Sequence, residues 1–113
     1  SDALNALNSK MAKRSVSVTS EGDKWKGNTV YESDSFIFFD NFIKSMSAPS
    51  SPVLVATIAS AGRPSNERQI VCPVANSGTF NGYSIISIDT DGKIKVEYMS
   101  GTGNIIIRTA VTK

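Results

Sequence analysis

The segment Tyr83-Ser84-Ile85-Ile86-Ser87-Ile88-Asp89-Thr90-Asp91-Gly92-Lys93-Ile94-Lys95-Val96-Glu97-Tyr98 reads as a β-hairpin, and the rest of the chain is best understood outward from it. Two runs rich in β-branched and aromatic residues flank Asp89-Thr90-Asp91-Gly92, whose Asp-Gly step accepts the positive φ of a tight reversal. Lys93 to Tyr98 alternates polar and apolar, the period of a strand with one face on a core and one in water. Downstream, Ser100-Gly101-Thr102-Gly103 is a tight loop and Asn104-Ile105-Ile106-Ile107-Arg108-Thr109-Ala110-Val111 a closing strand. Upstream, Val53-Leu54-Val55-Ala56-Thr57-Ile58 is a strand, Ala61-Gly62-Arg63-Pro64-Ser65 a turn, and Ser77 to Gly82 a loop. Arg68-Gln69-Ile70-Val71-Cys72-Pro73-Val74 reads as an edge-like strand, because Pro73 cannot donate to a ladder.

The first half carries the same signals less evenly. Ser15-Val16-Ser17-Val18-Thr19 alternates, Glu21 to Lys24 supplies a turn, a second strand includes Trp25, and Asn28 to Glu32 makes a third short run. Ser35-Phe36-Ile37-Phe38-Phe39-Asp40 is too rich in aromatic and β-branched residues for a helix. Asn41 to Met46 continues that strand after a bulge or forms one helical turn, with the strand favoured. Ser47 to Pro52 is a loop within the domain. Short strands with turn signals about every ten residues predict an all-β fold, a small antiparallel β-sandwich or barrel, over residues 15–113.

Residues 1–14 differ. Leu4, Leu7 and Met11 recur at spacings of three and four among polar residues, which predicts a short amphipathic helix capped by Ser1 or Asp2. Isolated helices shorter than about 12–15 residues are marginal in water, so the stripe needs a partner. That partner is either its own domain or other copies of the helix, as the end of a coiled-coil stem. The chain opens directly into this pattern without Met, and is expected to continue from an upstream segment.

Composition narrows the chemistry. The 113 residues include no histidine and one cysteine, Cys72. This removes Ser-His-Asp and Cys-His devices, an intrachain disulfide and any thiolate zinc cage. Twelve Lys and Arg against ten Asp and Glu leave a net charge of +2, too slight an excess to imply nucleic-acid binding. A mean hydropathy of −0.11, and the lack of any run of about 18 apolar residues, argue against membrane insertion. Neither an enzymatic activity nor a cofactor is expected.

The order of elements from about Val53 to Val111 resembles the carboxyl-terminal head domains of bacteriophage tail-tip and baseplate receptor-binding proteins, notably those of phages of lactococci and related Gram-positive bacteria. The likeness rests on the strand ending near Ile58, the Gly62-Arg63-Pro64 turn, the strand ending Pro73-Val74, the Ile86 to Val96 hairpin and the Ile-rich closing strand. The resemblance implies a homotrimer, with three helices at the stem and three β heads that attach to host cell-wall or capsular saccharide. It also implies a place on the virion, at the tail tip or baseplate, beside other phage tail proteins. Some members use histidine and tryptophan around the sugar. Here there is no histidine and the one tryptophan lies outside the matching half, so the candidate ligand residues are read from their own chemistry.

Trp25, between Lys24 and Lys26, offers an indole face for the apolar side of a sugar, or else lids the barrel. Arg63, Glu67 and Arg68 bracket the densest polar turn and suit hydroxyl-rich ligands, or else form a solvated surface cluster. Leu4, Leu7 and Met11 are the candidate oligomerisation residues. Asp89 and Asp91 read as turn chemistry and not as a calcium loop, whose later ligands are missing. Phe36, Phe38 and Phe39 read as core, and Cys72 as a small buried residue. Asp34 and Asp40 would cleave a glycoside only if a groove held both at about 5–9.5 Å. The competing expectations are a purely structural baseplate or fibre segment and, further off, an oligonucleotide binder using Trp25, Tyr83 and Tyr98.

Overall fold

The computed structural model describes residues 1–113, the side chains of Lys10 and Met11 excepted. In chain order the elements are α1 (Asp2–Met11), β1 (Arg14–Val16), β2 (Val18–Ser20), β3 (Trp25–Gly27), β4 (Val30–Glu32), β5 (Phe36–Ile43), β6 (Val53–Ile58), a 3-10 turn (Ser60–Gly62), β7 (Arg68–Asn76), β8 (Thr79–Ile88), β9 (Lys93–Met99) and β10 (Asn104–Thr112). The fold is all-β with one short amino-terminal helix, and every strand pairing is antiparallel.

The hairpin of β8 and β9 forms as its alternation predicts. Ile86 and Ile88 pair with Val96 and Ile94 and point inward, fully buried. Asp89 N–H donates to Lys93 O (3.0 Å) and Gly92 N–H to Asp89 O (2.9 Å), closing the turn. The Asp89 and Asp91 carboxylates accept from Thr90 N–H (2.7 Å) and Lys93 N–H (3.0 Å), so both serve the turn itself.

The sheet runs β1-β4-β5-β10-β7-β8-β9-β6-β2, with β3 also on β5. Its two outermost members, β1 and β2, are successive pieces of one extended segment broken at Ser17. Val16 pairs with Val30 on one side and Val18 with Ile58 on the other, while Ala59 N–H donates to Ser17 O (2.9 Å). The sheet thereby curls back on itself into a nearly closed barrel, which removes most free edge. The strand predicted over Ser15 to Thr19 is thus two strands, because one segment serves both ends of the sheet. Ile37, Ile43, Val55, Ile58, Val74, Ile105 and Ile107, from β5, β6, β7 and β10, fill the interior beside the hairpin, each excluded from water. Burying such a side chain contributes about 1.5–3 kcal/mol.

Three expectations change. β5 runs without a bulge, pairing residue by residue with β10 from Phe36↔Thr112 to Ile43↔Ile105. Its Phe36 and Phe38 face outward and only Phe39 joins the core, because a strand buries alternate residues. Lys13 Nζ lies 4.4 Å from the Phe38 ring centroid and covers part of it. β7 is interior in the sheet and not an edge, yet its ladder to β10 has only the pairs Asn104↔Ala75 and Ile105↔Val74. Pro73 lies beyond those pairs, where its missing N–H costs nothing on that side.

Helix α1 is capped by Ser1, whose Oγ accepts from Leu4 N–H (3.2 Å). It stands off the barrel with Leu4 55% and Leu7 52% exposed, so neither is buried within one chain. Met11, the third residue of the predicted stripe, has its side chain outside the described residues. Helix and barrel meet at Arg14. Its guanidinium donates to Ser9 O (3.1 Å), to both oxygens of Glu32 (3.1 and 2.8 Å) and to Asp34 Oδ1 (2.7 Å). Lys113 Nζ stands 3.7 Å from the same Glu32, whose side chain is only 6% exposed.

Arg14 foremost, with Lys113 adding to it, holds the Glu32 carboxyl below the usual glutamate range against the opposing effect of burial. A carboxylate with a depressed folded-state pKa adds stability that is present above its unfolded value and is lost as pH falls through the folded one. The melting temperature is therefore expected to hold above the ordinary glutamate range and to fall below it. Glu32→Gln should melt lower at neutral pH and fall less steeply in acid, as followed by circular dichroism. An acid slope unchanged by the substitution would show that Glu32 carries none of it.

Candidate functional site

β2 and β3 are joined by the turn Glu21 to Lys24, the usual arrangement of a hairpin, yet they do not pair with each other. β2 pairs with β6 and β3 with β5. Where a ladder bond would form, Ser20 Oγ accepts from Trp25 N–H (3.0 Å) instead, and Glu21 N–H donates away to Val55 O (2.9 Å). The splayed arms leave an open groove of about 430 Å³, within the range of small-ligand sites. Ser15, Ser17 and Val18 form one wall, Trp25, Lys26, Asn28 and Thr29 the other, and Asn41 the base.

The second wall is shaped by a bulge. Gly27 pairs with Asn41 and Tyr31 with Phe38, so Asn28, Thr29 and Val30 stand opposite only Phe39 and Asp40. Asn41 occupies an inward register on β5 between Phe39 and Ile43, and is 3% exposed. Its Nδ2 donates to Lys26 O (3.1 Å) and Asn28 O (2.8 Å), and its Oδ1 accepts from Asp40 N–H (3.1 Å). These bonds serve bulge groups that the regular ladder leaves out. Gly27 adopts φ +110°, and a Cβ there would lie 2.7 Å from Asn41 Cα. Only glycine meets both demands. Asn28 is held in turn, its Nδ2 donating to Asp40 Oδ2 (2.7 Å).

Trp25 packs on the barrel and also borders its opening. It is half-buried, with its ring edge-on to Phe39 at 5.9 Å and 75°, and it also lines the groove. An aromatic surface beside the hydroxyls of Ser15, Ser17 and Thr29 and the ammonium of Lys26 is suited to a polyhydroxylated ligand. An indole can cover the apolar C–H face of such a ligand while short polar side chains and a cation meet hydroxyl or acidic groups.

The other sequence-derived ligand candidates are not brought to Trp25. Arg63 Nε donates to Ile58 O (3.0 Å), holding the corner after β6. Arg68 donates from Nε to Thr112 O (2.9 Å) and from Nη2 to Lys113 O (3.0 Å), and Glu67 is exposed in the loop before β7. None of the three lines the groove. Asp34 is committed to Arg14, while Asp40 is shared between Asn28 and Arg108, the latter at 3.3 Å. Cys72 is buried, and burial pushes its thiol up to about 11, away from reactivity. Among the described residues no group of three or more acidic or cysteine side chains is placed to hold a metal ion. Among the described residues no helix is long and apolar enough to cross a membrane.

Asn41, Asn28, Thr29 and the serines of β1 and its break were not singled out from sequence. For Asn41 a signal existed: one amide at an inward position of an otherwise apolar period-2 strand. Comparison of the chain with protein-family models, with curated proteins and with solved structures finds no match.

Proposed function

We propose that this chain is a phage tail-tip or baseplate receptor-binding head that attaches, as a homotrimer, to host cell-surface saccharide through the groove beside Trp25. The groove itself carries this reading, since Trp25, Ser15, Ser17, Thr29 and Lys26 all line one concavity. The resemblance of the Val53 to Val111 stretch to such heads supports it. So does the exposed Leu4 and Leu7 stripe, which three copies would bury together at a stem. Several shallow sites on one particle give useful attachment from modest individual affinities.

The test uses Trp25, the single tryptophan, as its own reporter. Titration with purified wall saccharide of a lactococcal host is expected to shift Trp25 fluorescence and to move amide resonances at Ser15–Val18 and Trp25–Val30. Trp25→Ala should weaken binding about tenfold, the loss of one stacking contact. Light scattering should return three times the 12.1 kDa chain mass, falling to one chain mass for the Leu4→Ser, Leu7→Ser double variant. Saturating saccharide that moves no resonance would overturn the attachment reading in favour of a purely structural segment. A monomer at micromolar concentration would overturn the assembly.

A further inference from the structure

β7 and β10 run side by side but are bonded only at one end, by the two ladder pairs Asn104↔Ala75 and Ile105↔Val74. Continued in register, Ile70 to Pro73 would face Ile106 to Thr109. Of these, Ile70 to Pro73, Ile106, Arg108 and Thr109 instead border an opening of about 450 Å³ in the barrel wall. At the far end the strands are tied again, not by main-chain bonds but by the Arg68 guanidinium on Thr112 O and Lys113 O. Each strand is fully paired on its other side, β7 with β8 and β10 with β5. Two strand edges thus face each other across a slit held at both ends. Thr109, inward by register, is exposed through it.

We propose that this slit is a docking site for an extended peptide strand, apolar at alternate positions and bearing a carboxylate beside Arg108. Strand edges without ladder partners call for a ligand with donors and acceptors repeating along an extended backbone, which a sugar or a lipid chain does not supply. The stretch of β10 without a β7 ladder, Ile106 to Val111, is roughly 18 Å long at the rise of a β-strand, enough for a short peptide segment. Its rim is apolar, with Val71 71% and Phe80 68% exposed beside Ile70 and Ile106. Among the described residues Arg108 is the one charged side chain lining the opening, so an acidic group completes it. The contact of Arg108 with Asp40 is an exposed pair and yields readily to a competitor. The slit shares no residue with the Trp25 groove, so the two sites are separable by substitution.

The experiment titrates the full chain, labelled with 15N, with a capped hexapeptide that alternates valine and threonine and carries one glutamate. Chemical-shift changes are expected at the amides of Ile70–Cys72 and Ile106–Val111, whose hydrogen exchange should slow at least tenfold. The same peptide N-methylated at alternate residues, which keeps the side chains and removes donors, should not bind. Val71→Lys and Arg108→Gln, both at exposed positions, should each weaken the hexapeptide at least fivefold and leave the Trp25 resonances in place. The proposal is overturned if millimolar peptide moves no amide at the slit, or if the N-methylated peptide binds equally well. It also falls if these amides shift with protein concentration alone, which would make a second copy of the chain the occupant.

Discussion

Asn41→Leu is expected to lower the free energy of unfolding by about 3 kcal/mol and to abolish the proposed saccharide binding in the Trp25 groove. Leucine has the same number and branching of side-chain heavy atoms as asparagine and is somewhat bulkier, so the substitution removes hydrogen bonds without opening a cavity. What remains is Lys26 O, Asn28 O and Asp40 N–H, all of which bond to the Asn41 amide in the native chain. Each buried polar group left unpartnered costs about 1–3 kcal/mol, and the groove admits water to part of the set, which holds the total below the full sum. The bulge then loses the clamp that sets the spacing of Trp25, Asn28 and Thr29. Urea denaturation read beside saccharide titration checks both halves. A loss under 1 kcal/mol with intact binding would show that the bulge shapes itself.

Gly103→Ala should be as damaging from the opposite wall. Gly103 adopts φ +128°, a region L side chains avoid at a cost of about 1–3 kcal/mol. A Cβ there would also fall within 2.6 Å of the Ala75 carbonyl carbon, which is backbone and cannot rotate away. Ala75 belongs to the two-pair ladder that anchors β10 to β7. Strain and collision therefore land on the short ladder that ties β10 to β7. A stability loss of about 3 kcal/mol corresponds to a melting temperature roughly 10–20 °C lower for a domain of this size. Scanning calorimetry reads it directly, and a shift of only a few degrees would mean that the loop at Ser100–Gly103 relaxes around the methyl group.

Much of this was legible in the residues. Alternation in Lys93 to Tyr98, the Asp89 to Gly92 reversal and the β-branched run of Asn104 to Val111 each specify a strand or turn by local rules, and together specify an all-β class behind a short helix. The Trp25 candidate was legible too, as an aromatic between two lysines. Arg63 and Arg68 illustrate the opposite case. In sequence they form a polar cluster, but in space each guanidinium serves nearby backbone carbonyls, Ile58 O for one and Thr112 O and Lys113 O for the other. Adjacency along the chain does not say which way a long side chain reaches.

Periodicity in this chain states which face of a strand is buried, because that depends on residues two apart. It does not state which strand lies alongside, because that depends on distant segments competing for the same edge. Sequence alone therefore determined the all-β class, the β8–β9 hairpin with its turn and inward residues, the closing strand and the helix stripe. Only the tertiary structure decided that the segment through Ser17 closes the sheet by changing neighbours, that β2 and β3 part to leave a groove, and that β7 and β10 part to leave a slit. All three are choices of partner, made by hydrogen bonds between groups far apart in the chain.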